Sequence, residues 1–299
     1  MPKPPRVQIV EVSPRDGLQA EARTLPTEIK LELLDRLADA GHTTIEVTSF
    51  VSPTAVPQLA DADDVLARLR RRPGVRYPVL VPTERGLERA VAAGADEIAV
   101  FVSVSESYSR KNLRRGSDEA LASACAVAKI AVAGGLHVRG YVSMVIEDPD
   151  DGPTDPGAVV KTGLALLDAG CAELSLGDTV GAGTPAQVRA LLEAHRAAGI
   201  GPERLAVHFH DTYGQGLANV LTAIEQGVSV VDASVGGIGG SPFAKNASGN
   251  LATEDLVWML DGMGIETGVD VRKLAAIAQW MATQLGHELP GRAARALLG

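Results

Sequence analysis

The residues best suited to chemistry lie in the segment Leu205–Asp211, which reads LAVHFHD. In a strand the side chains alternate between two faces, so His208 and His210 would point the same way. Two imidazoles on one strand face, followed by the carboxylate of Asp211, make half of a divalent-metal site. The structural alternative is a pair of hydrogen-bonded core histidines. The positions of the other polar residues distinguish the two interpretations.

Short apolar runs rich in β-branched residues alternate with helical stretches along the chain. We predict strands at Val7–Val12, Thr44–Thr48, Tyr77–Val81, Glu97–Ser103, Val138–Ser143, Glu173–Leu176, Leu205–His210 and Val230–Val235. Alternating strands and amphipathic helices form parallel sheets with right-handed crossovers. Eight such units in 299 residues favour a closed (β/α)8 TIM barrel of the α/β class over an open sheet.

The helices between these strands carry apolar residues at helical spacing and often end at an Ala-Gly pair. They are predicted at Thr27–Ala40, Ala60–Arg70, Glu84–Ala93, Ser117–Ala133, Pro156–Ala169, Pro185–Ala198 and Gln215–Gln226. Helical patterning resumes at Thr253–Gly262 and Val271–Leu285. We therefore expect residues 1–299 to form a single catalytic barrel domain with extra C-terminal helices.

Composition narrows the class of protein. The net charge of −9 and the pI of about 5.2 argue against nucleic acid or an anionic membrane as the main partner. The two cysteines, Cys125 and Cys171, make no disulfide framework, which indicates a reducing compartment. There is no apolar run long enough to span a bilayer, and the first residues are too polar for a signal peptide. We expect a cytoplasmic protein.

In a TIM barrel the chemistry lies at the carboxyl ends of the strands. Because strand eight neighbours strand one in a closed barrel, the ends of strands six, seven, eight, one and two form one continuous arc. Six polar residues on this arc can converge on one mouth: Asp16, Glu46, Asp178, His208, His210 and Asn250. Their convergence favours a metal site over structural histidines. Arg15 is adjacent to Asp16, and Ser241 lies in the loop after strand eight.

The ligand types indicate which ion this site would hold. Two imidazoles, a carboxylate and an amide oxygen, without a thiolate, suit octahedral Mg²⁺ or Mn²⁺ better than Zn²⁺ or Co²⁺. Asp16 would be the anionic ligand, while Glu46 and Asp178 would orient ligands or substrate. Arg15 is placed either to stabilise a developing oxyanion or to form a structural ion pair with a neighbouring carboxylate.

The segment Ser107–Arg115 is predicted to be a loop after the fourth strand, and four of the six residues at 110–115 are cationic. In an acidic protein these cations could bind a phosphorylated substrate such as coenzyme A, or they could only solubilise an exposed loop. Asn112 is the residue of this segment that we expect to face inward.

Six long motifs follow one another along the chain: VEVSPRDGLQ (Val10–Gln19), IEVTSFVSP (Ile45–Pro53), RGYVS (Arg139–Ser143), SLGDTVGAGTP (Ser175–Pro185), VHFHDTYGQGLAN (Val207–Asn219) and SPFAKNASGNLATEDLV (Ser241–Val257). These segments resemble the 3-hydroxy-3-methylglutaryl-CoA lyase family, whose wider group includes isopropylmalate and homocitrate synthases. The resemblance covers essentially the whole chain and implies a metal-dependent TIM barrel that cleaves 3-hydroxy-3-methylglutaryl-CoA to acetyl-CoA and acetoacetate.

The resemblance also implies roles for individual residues. It assigns Mg²⁺ or Mn²⁺ to the four ligands Asp16, His208, His210 and Asn250. The ion would acidify the tertiary hydroxyl of the substrate, and Asp16 or His208 would take the proton. Arg15 would stabilise the thioester enolate, Glu46 and Asp178 would hold ligands and substrate, and Gln19 and Asn112 would bind the acyl-CoA. The family also implies a homodimer.

One position departs from the family. The family has a Gly-Gly-Cys-Pro loop whose cysteine is proposed to move a proton, and here Ser241 stands in its place. A serine hydroxyl is much less acidic than a thiol and exchanges protons poorly without a partner base. Three activities therefore stay open: cleavage of the family substrate with Ser241 or water as proton carrier, cleavage of a related acyl-CoA such as citramalyl-CoA or a longer 3-hydroxy-3-alkylglutaryl-CoA, or acyl-CoA binding with weak or no turnover.

Overall fold

Parallel strands form a curled sheet in the computed structural model, which describes residues 4–240 and 249–299. The sheet has seven strands in this part of the chain: β1 (Gln8–Glu11), β2 (Val79–Leu80), β3 (Glu97–Ser103), β4 (His137–Ser143), β7 (Glu173–Asp178), β8 (Leu205–Phe209) and β9 (Val230–Ala233). Their spatial order is β1-β9-β8-β7-β4-β3-β2. A small antiparallel hairpin, which the sequence analysis missed, consists of β5 (Glu147–Asp148) and β6 (Gly152–Pro153).

Residues 44–49 close the barrel between β1 and β2. Ile45 forms a parallel bridge with Glu11, Thr44 bridges Arg76, and Ser49 bridges Leu80. The strand predicted at Thr44–Thr48 thus occupies the eighth position, but it pairs through single bridges instead of a regular ladder. The prediction of a (β/α)8 barrel is confirmed.

The two faces of each strand bury different residues, as a barrel requires. On β3, Ile98, Val100 and Val102 belong to the main apolar core between the sheet and the helices. The alternate residue Ala99 packs instead with Leu80 and Tyr141 in a separate inner cluster. The interior of the barrel is therefore a packed layer, and a ligand must bind at its rim.

Eleven α-helices are described, and most of them match the predicted ones within a few residues. Their bounds are α1 (Thr27–Asp39), α2 (Ala62–Arg68), α3 (Glu84–Ala92), α4 (Glu106–Leu113), α5 (Ser117–Ala133), α6 (Pro156–Asp168), α7 (Pro185–Ala197), α8 (Gly216–Glu225), α9 (Thr253–Gly262), α10 (Val271–Leu285) and α11 (Arg292–Leu298). No helix in residues 4–240 or 249–299 combines the length and the apolar character that crossing a bilayer requires.

Two helices correct the sequence interpretation. The predicted loop at Ser107–Arg115 is wrong, because α4 spans most of it. The Ser105 hydroxyl caps this helix by accepting a hydrogen bond of 2.9 Å from the Tyr108 N–H. Helix α11 was not predicted, and its first N–H groups are satisfied by the Asp255 carboxylate, which accepts from Arg292 and Ala293.

Candidate active site

Asp16, His208 and His210 lie together at the carboxyl ends of β1 and β8. Each can offer one ligand atom such that all three atoms are within 4.8 Å of one another. The Nε2 atoms of the two imidazoles are 3.2 Å apart, and Nε2 of His208 is 3.8 Å from Oδ2 of Asp16. Among the residues that the structure describes, this is the one group of three or more His, Cys, Asp or Glu with such spacing.

Local backbone structure explains why Asp16 reaches this position. After β1 the chain forms a π-helical turn at Ser13–Gly17, in which the Val12 carbonyl accepts from the N–H groups of Arg15, Asp16 and Gly17. Pro14 begins this turn, where its missing N–H is not needed. The turn directs the side chains of Arg15 and Asp16 over the mouth of the barrel.

Asn250 joins the cluster from the segment after β9. Its Nδ2 donates to Oδ2 of Asp16 at 2.9 Å and to the Ile238 carbonyl at 3.2 Å. The backbone also pairs here, because Asn250 forms an antiparallel bridge with His210. Gly239 permits this approach: its φ is +113°, and a Cβ at this position would lie 2.6 Å from Nδ2 of Asn250.

The protonation states of the cluster suit a divalent cation. Burial opposes the charge on Asp16, but Arg15 and His208 outweigh burial and hold the pKa of this carboxyl well below its usual range. Burial, reinforced by the neighbouring His208, lowers the pKa of His210 to about 3, so its imidazole is neutral at physiological pH. The Nδ1 atom of His210 is buried without a hydrogen-bond partner in the described structure. An ionised carboxylate and imidazole nitrogens that face one another fit a divalent metal ion.

Arg15 and Glu46 form a buried pair beside this cluster. Arg15 donates from Nε to Oε2 of Glu46 at 2.7 Å and from Nη1 to Oδ1 of Asp16 at 2.6 Å. Burial opposes the charge on Arg15, but Glu46 and Asp16 raise its pKa. Burial raises the pKa of Glu46, against the attraction of Arg15. The ion pair that the sequence left as the alternative role of Arg15 is thus present, and it fixes the guanidinium next to a candidate metal ligand.

Asp178 contacts a turn instead of the cluster. Its carboxylate accepts from the Gly181 N–H at 3.1 Å and from the Gly183 N–H at 2.8 Å. Burial raises its pKa, and these N–H groups act in the opposite direction. At Gly181, where φ is +73°, a Cβ would lie 2.8 Å from Cβ of His210. Asp178 therefore shapes the turn that packs against His210.

Asp211 also points away from the two imidazoles with which the sequence analysis grouped it. Its Oδ1 accepts from the Gly216 N–H at 2.8 Å, and its Oδ2 forms a 3.0 Å ion pair with Arg292. This carboxylate joins the end of β8 to α8 and to the C-terminal segment.

A cavity of about 690 Å³ lies on the same rim of the barrel. Phe50 follows the closing segment, Pro82 follows β2, and Phe101 lies near the end of β3, so the cavity is at the carboxyl ends of these strands. Asn112 lines it, as do four arginines: Arg85, Arg89, Arg114 and Arg115. Gln19 is exposed just beyond the Ser13–Gly17 turn and does not line this cavity.

The cations of the segment at 110–115 divide into two sets. Arg114 and Arg115 line the cavity. Arg110 and Lys111 do not line it: Arg110 pairs with Glu106 at 2.6 Å, and Lys111 pairs with Asp150. Arg115 also forms an ion pair, with Glu119 at 3.6 Å. The cavity thus draws part of its positive charge from the segment that the sequence analysis selected, and the rest from α3.

A buried charge network, which the sequence did not predict, lies beneath the cluster. Asp232 on β9 accepts from Nη2 of Arg139 at 2.7 Å and from the Ser175 hydroxyl at 2.8 Å. The guanidinium groups of Arg139 and Arg15 both lie over the Tyr141 ring, with their Cζ atoms 5.0 and 5.3 Å from its centroid. The signal in the sequence was a charged residue within an apolar strand. Ser241, the remaining predicted site residue, lies outside the described residues.

Comparison of the chain with known proteins identifies its family. The HMGL-like family model matches residues 6–281. The chain belongs to the HMGL-like family. Two curated HMGL-like relatives, the mitochondrial hydroxymethylglutaryl-CoA lyases of Mus musculus and Arabidopsis thaliana, are each 49% identical over 98% of this chain. The chain spans 90% of the mouse protein and 63% of the plant protein.

Solved HMGL-like structures agree with the fold. The HMG-CoA lyase of Bacillus subtilis has a TM-score of 0.97 at 43% identity, with 100% of both chains covered. An HMG-CoA lyase from Acinetobacter baumannii, solved in complex with coenzyme A and 3-methylmalate, has a TM-score of 0.92 at 37% identity and covers 98% of this chain and 95% of its own.

Proposed function

We propose that this protein is a divalent-metal-dependent carbon–carbon lyase that cleaves 3-hydroxy-3-methylglutaryl-CoA to acetyl-CoA and acetoacetate. The observation that carries the proposal is the cluster of Asp16, His208 and His210 beside the buried Arg15, at the carboxyl ends of the barrel strands. Relatives at 49% identity that bear the name hydroxymethylglutaryl-CoA lyase support the choice of reaction.

Four residues would hold the metal: Asp16, His208, His210 and Asn250. Their oxygen and nitrogen donors, without a thiolate, favour Mg²⁺ or Mn²⁺. When bound, the ion supplies Lewis-acid polarisation, which lowers the pKa of the tertiary hydroxyl of the substrate.

The chain's own residues would handle the charge and the proton of the cleavage. Arg15 presents a guanidinium that Glu46 holds at 2.7 Å, and it stabilises the negative oxygen of the departing thioester enolate. The hydroxyl proton passes to Asp16 or His208.

The arginine-lined cavity is the proposed site of the coenzyme A moiety. Its position on the active rim, its volume of about 690 Å³ and its four guanidinium groups suit a phosphorylated carrier. Asn112 would bind the carrier within it, and Gln19 would contact the acyl-CoA from the exposed side of the Ser13–Gly17 turn. The coenzyme A complex of the Acinetobacter relative supports an acyl-CoA as the substrate class.

Ser241 would take the place of the family cysteine in returning a proton to the enolate, directly or through water. We further propose that residues 1–299 act as one catalytic domain within a cytoplasmic homodimer. Relatives named as cytoplasmic and as mitochondrial both exist, at 48% and 49% identity, so the proposed localisation is tested by fluorescence microscopy. The proposed homodimer is tested by measuring the mass in solution by analytical ultracentrifugation.

The decisive experiment is product analysis after purified protein is incubated with 3-hydroxy-3-methylglutaryl-CoA and Mg²⁺. We expect equimolar acetyl-CoA and acetoacetate, and no reaction after chelation. A parallel panel containing citramalyl-CoA and longer 3-hydroxy-3-alkylglutaryl-CoA thioesters measures kcat/KM for each. A larger kcat/KM for one of these would reassign the substrate, and binding of acyl-CoA without turnover of any thioester would refute the proposed lyase activity.

A further inference from the structure

Asp232 is completely buried inside the barrel and contacts three polar side chains. Its Oδ1 accepts from Arg139 at 2.7 Å, and its Oδ2 accepts from the Ser175 hydroxyl at 2.8 Å. Oδ2 also lies 3.4 Å from Nδ1 of His208. The first two contacts fix the carboxylate, so its position relative to His208 does not depend on His208 itself.

The two nitrogens of the His208 ring face different partners. Nε2 faces the candidate metal cluster, 3.2 Å from Nε2 of His210 and 3.8 Å from Asp16. Nδ1 faces Asp232 at a distance longer than an ordinary N–H···O bond, so the contact is mainly electrostatic. A carboxylate beside Nδ1 favours the proton on that nitrogen, which leaves the Nε2 lone pair directed at the cluster.

His210 has no equivalent support. The Nδ1 atoms of both imidazoles are buried without a hydrogen bond in the described structure, but only that of His208 forms an ion-pair contact with a carboxylate, at 3.4 Å from Asp232. The two imidazoles are therefore inequivalent, and His208 is the one that a fixed charge orients.

We propose that Asp232 is a positioning residue that holds His208 in its Nδ1–H form and thereby sets the affinity of the cluster for its divalent ion. The inference rests on the proposed function in one respect, since it takes Asp16, His208 and His210 to be metal ligands. Arg139 and Ser175 contribute by holding the carboxylate of Asp232 in place.

The test is calorimetric titration of chelator-treated, full-length protein with Mn²⁺ for three proteins: the unsubstituted chain, Asp232→Asn and Glu173→Gln. Glu173 is the matched control, because it accepts from Nε of the same Arg139 at 2.7 Å on the side away from His208. We expect Asp232→Asn to weaken Mn²⁺ binding by about 10- to 100-fold. Glu173→Gln should stay within about threefold of the unsubstituted protein.

The outcomes separate the inference from the proposed function. The inference alone is overturned if folded Asp232→Asn binds Mn²⁺ within about threefold of the affinity of the unsubstituted protein. It is also overturned if Asp232→Asn and Glu173→Gln lose Mn²⁺ affinity equally. Absence of Mn²⁺ binding by the unsubstituted protein overturns the metal site and the inference with it. With Mn²⁺ in excess, Asp232→Asn should recover most of its kcat at an unchanged KM for the thioester, which a merely structural loss would not allow.

A second measurement keeps the inference testable if Asp232→Asn does not fold. Long-range ¹H–¹⁵N correlation spectra of the metal-free, unsubstituted protein report which ring nitrogens carry protons, and His208→Gln assigns the signals. A protonated Nδ1 on His208 supports the inference. An unprotonated Nδ1 overturns it.

Discussion

The guanidinium of Arg15 touches both a candidate metal ligand, Asp16, and the fully buried Glu46. A buried carboxylate without this partner would be strongly destabilised, because the desolvation of the charge would be uncompensated. The site is therefore assembled from mutually dependent charges. Substituting a group that binds the ion should affect metal binding and turnover together.

His210→Ala should abolish both turnover and metal-dependent stabilisation. The substitution removes one of the two facing imidazoles, and because burial lowers the pKa of His210 to about 3, we expect no buried positive charge to be lost with it. The measurement is Tm with and without excess Mn²⁺, together with kcat. The control is His137→Ala. His137 is half exposed and lies at the opposite end of the barrel, so this variant should keep the Mn²⁺-dependent rise in Tm. A full rise in His210→Ala would exclude His210 as a ligand.

Ser241→Cys should raise kcat on 3-hydroxy-3-methylglutaryl-CoA. The thiol that the substitution introduces titrates near pH 8.5 and exchanges protons more readily than a hydroxyl. We expect a gain of about tenfold, the lower part of the range typical for general acid–base groups. Steady-state kinetics at saturating Mg²⁺ measure it, and Ser241→Ala separates the thiol's chemistry from the loss of the hydroxyl. An equal or lower kcat would indicate that the pocket uses a different proton donor.

At the scale of elements, the site is built from turns that follow strands. The Ser13–Gly17 turn places Arg15 and Asp16, and the turn at 178–183 packs against His210. Strand order and the carboxyl-end rule predicted this convergence, because neighbouring strands of a closed barrel must end on one rim. The same reasoning placed Asp178 close to the cluster but could not tell that its oxygens bind backbone N–H groups.

What the sequence could not provide has physical reasons. Helix α4 has the sequence ESYSRKNL, which has too few apolar residues to show the periodicity by which a helix is predicted. The N-cap at Ser105 stabilises this helix despite its polar sequence. Asp232 is a charged residue within an apolar strand. Its ion-pair partner Arg139, which makes its burial tolerable, lies 93 residues away in the chain. Pairings over such distances follow from the register of the strands, which composition does not encode.

Asp178→Asn should destabilise the fold by about 1–3 kcal/mol and lower turnover with it. The amide retains one acceptor oxygen for two N–H donors, so a buried N–H group loses its partner. Urea unfolding gives the free energy of unfolding. The control is Asp155→Asn, at the exposed N-cap of α6. Because asparagine caps a helix as well as aspartate does, the loss in free energy of unfolding should be near zero. Equal stability of the two variants would contradict the role of Asp178 in this turn.

At the scale of the whole molecule, Glu254 lies where the end of β9, helix α9 and the C-terminal segment meet. Its Oε2 accepts from the Gly236 N–H at 2.8 Å, while its Oε1 is buried with no hydrogen-bond partner among the described residues. Gly291 leaves room for this carboxyl, since a Cβ there would lie 2.0 Å from Oε1. The three segments are thus packed around an acid that burial keeps neutral.

Burial raises the pKa of Glu254 from its ordinary value of 4.5 to about 8. Between these pH values the folded state binds a proton that the unfolded state has released, so the free energy of unfolding contributed by this group falls as pH rises. The slope approaches 1.4 kcal/mol per pH unit and vanishes above about pH 8. Glu254→Gln should remove this slope, because the amide is a neutral isostere. Urea unfolding at pH 5.5, 7 and 8.5 should therefore show the wild type losing stability relative to Glu254→Gln, whereas the exposed Glu288→Gln should track the wild type. Parallel pH profiles of wild type and Glu254→Gln would show that this carboxyl is already ionised in the folded protein.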